Sequence, residues 1–152
     1  MIEVELPQDL AAYAKQKIGH SRPVPIDQGM IDRFAELSGD RHWIHVDVER
    51  AAREMPDGKT VAHGLLLLSL APSLKDDVYR IRRRGKGLNY GYDRVRFIRP
   101  VQVGDSVRLA VTILAVARHR AGTRIEALHE LENAATGEVV LSAQNIVLVA
   151  DA

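Results

Sequence analysis

Two stretches of the chain carry side chains that could transfer a proton. Asp40 and His45 share one short connection between two helical patterns, and His63-Gly64 follows further along. An unperturbed histidine titrates near neutral pH, so His45 could accept or return a proton under physiological conditions. A nearby carboxylate could orient the imidazole or share a bound water with it. The spacing therefore predicts an acid–base pair formed by Asp40 and His45.

Gly64 opens a very apolar segment that predicts a buried helix. The first amide of a helix has no acceptor within the helix and points along its positive end, so the Gly64 N–H could stabilise an oxyanion. Structural alternatives remain open for each residue. Asp40 could cap a turn, His45 could fill a half-buried position, and Gly64 could let a neighbouring strand approach closely.

Two other kinds of site receive less support. Asp40, His42, His45 and His63 could be drawn as a metal cluster, but their spacing matches no standard ligand motif, and we expect no metal site. The chain has no cysteine, which excludes disulfides, thiolate ligands and a cysteine nucleophile. It also lacks the Gly-x-Ser-x-Gly elbow of many serine hydrolases.

The first half of the chain shows helical patterns with recognisable ends. Apolar residues at helical spacing predict a helix over Asp27 to Ser38, with Asp27 as its N-cap and Gly39 as its stop. A modest amphipathic helix is predicted over Asp9 to Ile18, an edge strand at best over Arg22 to Ile26, and a short helix from Asp47 to Arg53. The apolar helix is predicted from Gly64 to about Arg80, with Pro72 inside it.

From Leu88 onward the pattern changes to strands. Alternation predicts strands over Asn89 to Ile98, Val107 to Ile113, Thr123 to Glu132 and Val139 to Val149, with a possible bulge at Gly91 and a hairpin turn at 136–138. Helices followed by an antiparallel meander indicate the α+β class. One sheet covers only one side of a helix, so the remaining cover must come from the N-terminal helices or a second copy of the chain.

Composition limits the possible partners. The 152 residues fit one domain spanning 1–152, and the net charge of +1 gives no case for nucleic acid or membrane binding. Met1 to Gln8 is unlike a signal peptide, and the longest apolar run is too short to span a bilayer, so we expect a cytoplasmic protein. The basic run from Arg82 to Lys86 is interpreted as a solvated loop, with a patch for coenzyme A phosphates as the alternative.

Taken in order, several segments resemble a known family. Phe34 to Asp40, Ile44 to Asp47 and Ala62 to Leu65 resemble the MaoC-like (R)-specific enoyl-CoA hydratases, also called hydratase 2. Within that family, Trp43-Ile44-His45, Asn89-Tyr90-Gly91 and Arg94 to Phe97 are most similar to the nodulation-protein-N-like branch. The likeness continues through Arg99 to Val107 and so covers nearly the whole chain.

The resemblance implies a hotdog fold, in which a long antiparallel sheet wraps around a buried central helix, in a homodimer whose sheets join. It also implies reversible syn hydration of a trans-2-enoyl-CoA to an (R)-3-hydroxyacyl-CoA. Asp40 and His45 would hold and activate the water, and the Gly64 amide would bind the thioester oxygen. No cofactor is expected; coenzyme A counts as part of the substrate. Two other functions remain open: a hotdog acyl-CoA thioesterase, or a non-catalytic acyl-CoA or signal-binding module.

We expect four further residues, His42, Trp43, His63 and Asn89, to contact the substrate. The chain departs from the family pattern at three positions. His42 stands where many hydratases have asparagine, Trp43 replaces the following proline, and Pro72 replaces a common serine. These changes bear on substrate size and orientation more than on the reaction.

Overall fold

The computed structural model describes residues 1–152, and its helices lie mostly in the first half of the chain. The elements there are β1 (Ile2–Val4), a 3₁₀ helix (Pro7–Tyr13), β2 (Gln16–His20), β3 (Val24–Pro25), α1 (Gln28–Ser38), α2 (Trp43–Val46), α3 (Val48–Glu54), α4 (Gly64–Lys75) and β4 (Tyr79–Ile81). The second half contains β5 (Gly87–Phe97), β6 (Ser106–His119), β7 (Gly122–Asn133) and β8 (Val139–Val149). No helix has both the length and the apolar character that crossing a bilayer requires.

The main sheet is antiparallel and contains six strands. Its order is β2-β6-β7-β8-β5, with β3 also paired to β6, so the predicted meander of β6, β7 and β8 is confirmed. Alternate residues of β6 are fully buried (Val107, Leu109, Val111 and Ile113), as their period of two predicts. The β5–β8 register shifts between Asn89 and Gly91, which confirms the predicted bulge.

Helix α4 packs its apolar side against the sheet. Leu66, Leu67, Ala71 and Leu74 are at most 5% exposed, and all four belong to the main core. Leu65, however, remains 62% exposed, so the expectation of cover on every side does not hold within one chain. The uncovered side of α4 continues onto the end of β5, where Phe97 and the following residue, Ile98, are also about half exposed.

The predicted end of this helix near Arg80 is wrong. Helix α4 ends at Lys75, and the chain then turns into β4, which pairs in parallel with β1 at the N-terminus. Tyr79 and Ile81 are buried in this pairing, so long-range burial and hydrogen bonding override the local helical pattern. The result is a second, two-stranded sheet, whose strand β4 follows shortly after the carboxyl end of α4.

The predicted caps of α1 and α3 are confirmed. The Asp27 carboxylate accepts the Met30 N–H at 2.7 Å at the start of α1, and Gly39 ends that helix with a φ of 80°. The Asp47 carboxylate accepts the Arg50 N–H at 2.9 Å at the start of α3. These caps fix both boundaries of the segment that carries Asp40 and His45.

The helix predicted over Asp9 to Ile18 is wrong. The chain forms the 3₁₀ helix Pro7–Tyr13, and Lys15 has a φ of 63°, which no α-helix tolerates. The following residues enter β2 and pair with β6. Leu10 is completely buried and anchors this segment on the core.

His129 lies on the buried side of β7, with neither ring nitrogen hydrogen-bonded and only 1% of its surface exposed. Burial, assisted by the charge of Lys75, lowers the pKa of His129 to about 4. As the pH falls, His129 therefore binds a proton near pH 6.5 in the unfolded chain but only near pH 4 in the folded chain. Stability supplied by neutral His129 is present above pH 6.5 and is lost as the pH falls towards 4.

We expect the free energy of unfolding to fall by about 3 kcal/mol more between pH 7 and pH 4 in the wild type than in a His129→Phe variant. Urea unfolding at a series of pH values measures this difference. The His119→Gln variant, which removes a less buried histidine, should keep the wild-type slope. Equal pH slopes for the wild type and His129→Phe would contradict the assignment.

Candidate active site

The segment between α1 and α3 is held in a single compact turn. After Gly39 the chain runs through Asp40 into α2, whose first amides face His42. The His42 Nδ1 accepts the Ile44 N–H at 3.4 Å, so His42 acts as an N-cap. The connection that the sequence indicates as irregular therefore contains one helical turn, which places His45 facing inwards, 8% exposed.

His45 is oriented by a backbone carbonyl just before α4. Its Nδ1 lies 2.6 Å from the Val61 carbonyl oxygen, and because a carbonyl only accepts, Nδ1 carries the proton. This leaves the Nε2 lone pair free. Burial lowers the pKa of His45, and the neighbouring His63 and His42 add to that effect, while the Val61 hydrogen bond and the Asp40 charge oppose it. A neutral imidazole with a free Nε2 has the form that a general base requires.

His63 connects the two halves of the site. Its Nε2 donates to the Asp40 carbonyl oxygen at 2.9 Å, and its ring stacks on that of His45 with 3.7 Å between the centroids. His63 is 3% exposed, and its Nδ1 has no hydrogen-bond partner. Because His63 directly precedes α4, its hydrogen bond holds the Asp40 backbone beside the start of that helix.

The three side chains converge on one small volume. A carboxylate oxygen of Asp40 and one ring nitrogen each of His45 and His63 all lie within 4.8 Å of one another. Asp40 is exposed, so the cluster opens to solvent on one side. A water could bridge groups at this separation, and the same donor set could also contact a metal ion.

Gly64 begins α4 directly beside this cluster. Its N–H belongs to the first turn of the helix and has no acceptor there. A Cβ built on Gly64 would lie 2.6 Å from the Phe97 ring. The structural alternative, in which this glycine lets a neighbouring strand approach closely, is therefore also correct. A depression of about 140 Å³ adjoins Gly64 and is lined mainly by apolar side chains, including those of Leu67, Phe97 and Val140.

The remaining predicted substrate contacts divide into two groups. His42 and Trp43 lie close to His45; the His42 and His45 centroids are 6.4 Å apart, and the Trp43 ring is half-buried beneath the Arg50 guanidinium at 4.2 Å. Asn89 does not join them within one chain. Its Oδ1 accepts the Asn145 Nδ2–H at 2.8 Å at the opposite end of α4.

The basic run after β4 is partly neutralised by the N-terminal segment. Arg82 donates to the Glu3 carboxylate at 2.9 Å, and Arg83 lies 3.9 Å from the Glu5 carboxylate. Both arginines are exposed, in agreement with the interpretation of a solvated loop. The alternative role, binding coenzyme A phosphates, stays a prediction.

Comparison with known proteins identifies the family. Residues 9–135 match the model of the MaoC-like domain. The chain is 44% identical over 108 residues to 3-hydroxyacyl-thioester dehydratase Z of Mycobacterium tuberculosis, covering 71% of each chain. The chain therefore belongs to the MaoC-like domain family, as the sequence motifs predict.

Two further similarities refine this assignment. Nodulation protein N of Rhizobium leguminosarum bv. viciae is 46% identical over 101 residues, covering 66% of this chain and 63% of the relative. The structure of R-hydratase PhaJ1 from Pseudomonas aeruginosa has a TM-score of 0.73 and 24% identity, covering 91% of this chain and 83% of that one. The hotdog fold and the likeness to the nodulation-protein-N branch are thereby confirmed.

We expect the pKa of His45 to lie below 6.5, and Asp40→Asn to lower it further, because the Asp40 charge favours the imidazolium. The imidazole proton signals followed by NMR through a pH titration measure both values, with His45→Gln providing the assignment. Asp151→Asn removes an exposed carboxylate that does not act on His45 and should leave the pKa of His45 unchanged. A higher His45 pKa in Asp40→Asn would show that the two groups do not interact as described.

Proposed function

We propose that this MaoC-like protein is an (R)-specific enoyl-CoA hydratase, which adds water reversibly to a trans-2-enoyl-CoA. The observation that carries the proposal is the convergence of the Asp40 carboxylate, the His45 imidazole and the start of α4. The family assignment and a relative named as a 3-hydroxyacyl-thioester dehydratase support the same reaction class. No organic cofactor is needed, because proton transfer and oxyanion stabilisation account for every step.

The proposed first step forms the new C–O bond. Water sits between Asp40 and His45. The Asp40 carboxylate accepts a hydrogen bond from the hydrogen that stays on the oxygen, and the His45 Nε2 takes the other proton as the oxygen attacks C3. Since Nδ1 is fixed on the Val61 carbonyl, only Nε2 faces the water in this arrangement. The electron pair of the C2–C3 double bond moves towards the thioester, whose oxygen becomes an enolate.

The Gly64 N–H stabilises that enolate oxygen in the proposed mechanism. The amide lies at the positive end of α4, and no side chain of its own obstructs the approach. The small, mainly apolar depression that adjoins Gly64 lies next to the proposed position of this oxygen, and its lining includes neither Asp40 nor His45.

The second step returns the proton to carbon. The His45 imidazolium donates to C2, which consumes the enolate and restores the neutral imidazole. Burial makes this imidazolium a ready donor because it lowers the pKa of His45. The hydroxyl and the hydrogen both reach the double bond from the face on which Asp40 and His45 lie, so the addition is syn. The reverse sequence dehydrates a 3-hydroxyacyl thioester through the same groups.

We expect Asp40→Asn and His45→Gln each to reduce hydration of crotonyl-CoA by at least about a hundredfold without unfolding the protein. Loss of the conjugated enoyl absorbance measures the rate, circular dichroism checks the fold, and chiral analysis of the product tests the face of addition. The control variants Asp151→Asn, at an exposed carboxylate paired with Arg118, and His119→Gln should retain wild-type rates. Undiminished turnover in both site variants would exclude this mechanism.

The same assay separates the other possibilities. Release of free thiol from acyl-CoA would identify a thioesterase, and thioester binding without conversion would identify a binding module. Because Asp40, His45 and His63 could contact a metal ion, the rate is also measured after chelation with EDTA. An unchanged rate supports the metal-free mechanism, whereas loss and recovery with a divalent ion would replace it.

We also propose that the protein is a homodimer joined through β5. This strand lies at the end of the sheet, so its outer edge has no strand partner within one chain. Exposed apolar side chains follow that edge and continue onto α4 (Leu65, Leu88, Tyr90, Phe97 and Ile98). A second copy related by a two-fold axis would cover the same surface on both chains.

We expect light scattering after gel filtration to give twice the mass of one chain for the wild type, and a monomer for Leu65→Glu. A glutamate in the first turn of α4 is favourable for the helix, so the fold should persist. Leu37→Glu changes an 85% exposed leucine on α1 and should leave the dimer intact. A monomeric wild type, or a dimeric Leu65→Glu, would contradict the proposed interface.

A further inference from the structure

A basic loop between β4 and β5, residues 82–86, is fixed to the rest of the chain by backbone hydrogen bonds. Its first N–H donates to the Val4 carbonyl oxygen of β1 at 3.0 Å. The Gly85 N–H donates to the Ala150 carbonyl oxygen at 2.9 Å, and the Ala150 N–H donates to the Lys86 carbonyl oxygen at 2.9 Å. The loop is therefore an ordered part of the fold that leads directly into β5.

Half of the positive charge on the basic loop has no partner within one chain. Glu3 and Glu5 form ion pairs with the first two arginines of the loop. Arg84 and Lys86 are exposed, and neither makes an ion pair. These two side chains are therefore available to bind an anion.

The opposite end of β5 lies beside the Gly64 amide and is also basic. The ring of Phe97, the last residue of the strand, packs against Gly64, and Arg99 lines the depression that adjoins this glycine. Arg99 lies 3.5 Å from the Glu138 carboxylate. Arg96 is exposed and donates only to a neighbouring backbone carbonyl, at 2.8 Å. A second unpaired cation thus lies near the depression.

The proposed dimer brings these two surfaces together. Antiparallel overlap of the 11 residues of β5 with those of its copy places Gly87 opposite Phe97 of the partner subunit. Paired strands lie about 4.8 Å apart. The residues just before one β5 then lie beside the residues just after the other, so the partner's basic loop reaches the depression at Gly64. The two-fold axis repeats this contact at both sites.

The combined surface favours a ligand with several negative charges. Cations brought together from two chains repel one another unless an anion lies between them. Phosphate suits this position because a guanidinium binds it through two parallel N–H···O bonds. In a coenzyme A thioester the phosphates are remote from the acyl group, so they can be held at the rim while the thioester lies at the Gly64 amide.

We propose that the basic loop of each chain binds the phosphates of the coenzyme A thioester that reacts at the Asp40–His45 site of the other chain. Arg84 and Lys86 of the partner subunit make these contacts together with Arg96 of the chain that holds the reacting groups. The inference rests on the proposed hydration and on the proposed β5 dimer. It makes each site incomplete in a single chain.

The first test compares two substrates in a loop variant, Arg84→Gln with Lys86→Gln. Its KM for crotonyl-CoA should rise at least about fivefold more than its KM for crotonyl-N-acetylcysteamine, which has no phosphate. The control, Lys15→Gln with Arg22→Gln, removes two exposed cations at the β2 edge of the sheet and should leave the ratio of the two KM values unchanged. An equal rise for both substrates in the loop variant would overturn the proposal.

The second test uses mixed dimers to show which chain supplies the loop. One chain carries Asp40→Asn with the native loop, and the other carries the loop variant with native Asp40. The single active site of this dimer should have the wild-type KM for crotonyl-CoA and about half of the wild-type turnover. A KM as high as that of the loop variant would show that the loop acts on its own chain and would overturn the proposal.

Calorimetric binding of butyryl-CoA, which cannot be hydrated, separates this inference from the proposed reaction. Weaker binding to the loop variant than to the wild type supports the phosphate contacts even if the wild type fails to hydrate crotonyl-CoA. Equal binding to both proteins would overturn them even if hydration is observed. A monomeric wild type would overturn the contact between chains directly.

Discussion

Two hydrogen bonds between separate backbone segments hold the candidate active site together. His45 donates to the Val61 carbonyl, and His63 donates to the Asp40 carbonyl, so each segment supplies a histidine that binds the main chain of the other. The two rings stack between these contacts at 3.7 Å. Neither bond places a reacting atom directly. They fix the Asp40 turn against the start of α4, and every other feature of the site depends on that juxtaposition.

These bonds also set the chemistry of His45. Fixing Nδ1 on a carbonyl selects the tautomer with a free Nε2, and burial under His63 favours the neutral ring. A histidine on an exposed loop would have neither property. The arrangement thus converts an ordinary side chain into a candidate base by positioning alone, using residues that precede α4 in the sequence.

Sequence patterns predicted the elements whose ends are determined locally. Caps such as Asp27 and Asp47, the left-handed Gly39 and the alternation along β6 act within a few residues, so their effects are visible in the chain itself. The failures have the opposite cause. The segment after Lys75 and the segment before His20 both carry helical patterns, but each becomes a strand because a distant strand offers hydrogen bonds and burial.

The candidate site shows the same division. The approach of Asp40 to His45 was predictable because both lie on one short connection within a recognisable motif. The role of the Gly64 amide stays a prediction. The binding of His63 to the Asp40 carbonyl, and the Phe97 ring over Gly64, depend on tertiary contacts that spacing does not encode. Asn89 lies at the other end of α4 within one chain, and its predicted contact with the substrate stays a prediction. The sequence does mark His129 as unusual. It stands at a buried position of the alternating pattern in β7, between Ala127 and Leu131, where an apolar residue is the norm.

The two ends of helix α4 differ in the chemical groups that they present. Its amino end presents a bare amide beside two histidines and a carboxylate, whereas its carboxyl end supplies Lys75 to a cleft with an uncharged polar interior. The helix dipole favours negative charge at the first end and positive charge at the second, which agrees with an enolate at Gly64 and a lysine in the last turn. The side of α4 facing the sheet is fully packed, so neither end can shift without disturbing the core. The two ends of α4 are therefore held at a fixed separation of about 18 Å, and within one chain only the amino end lies beside Asp40, His45 and His63.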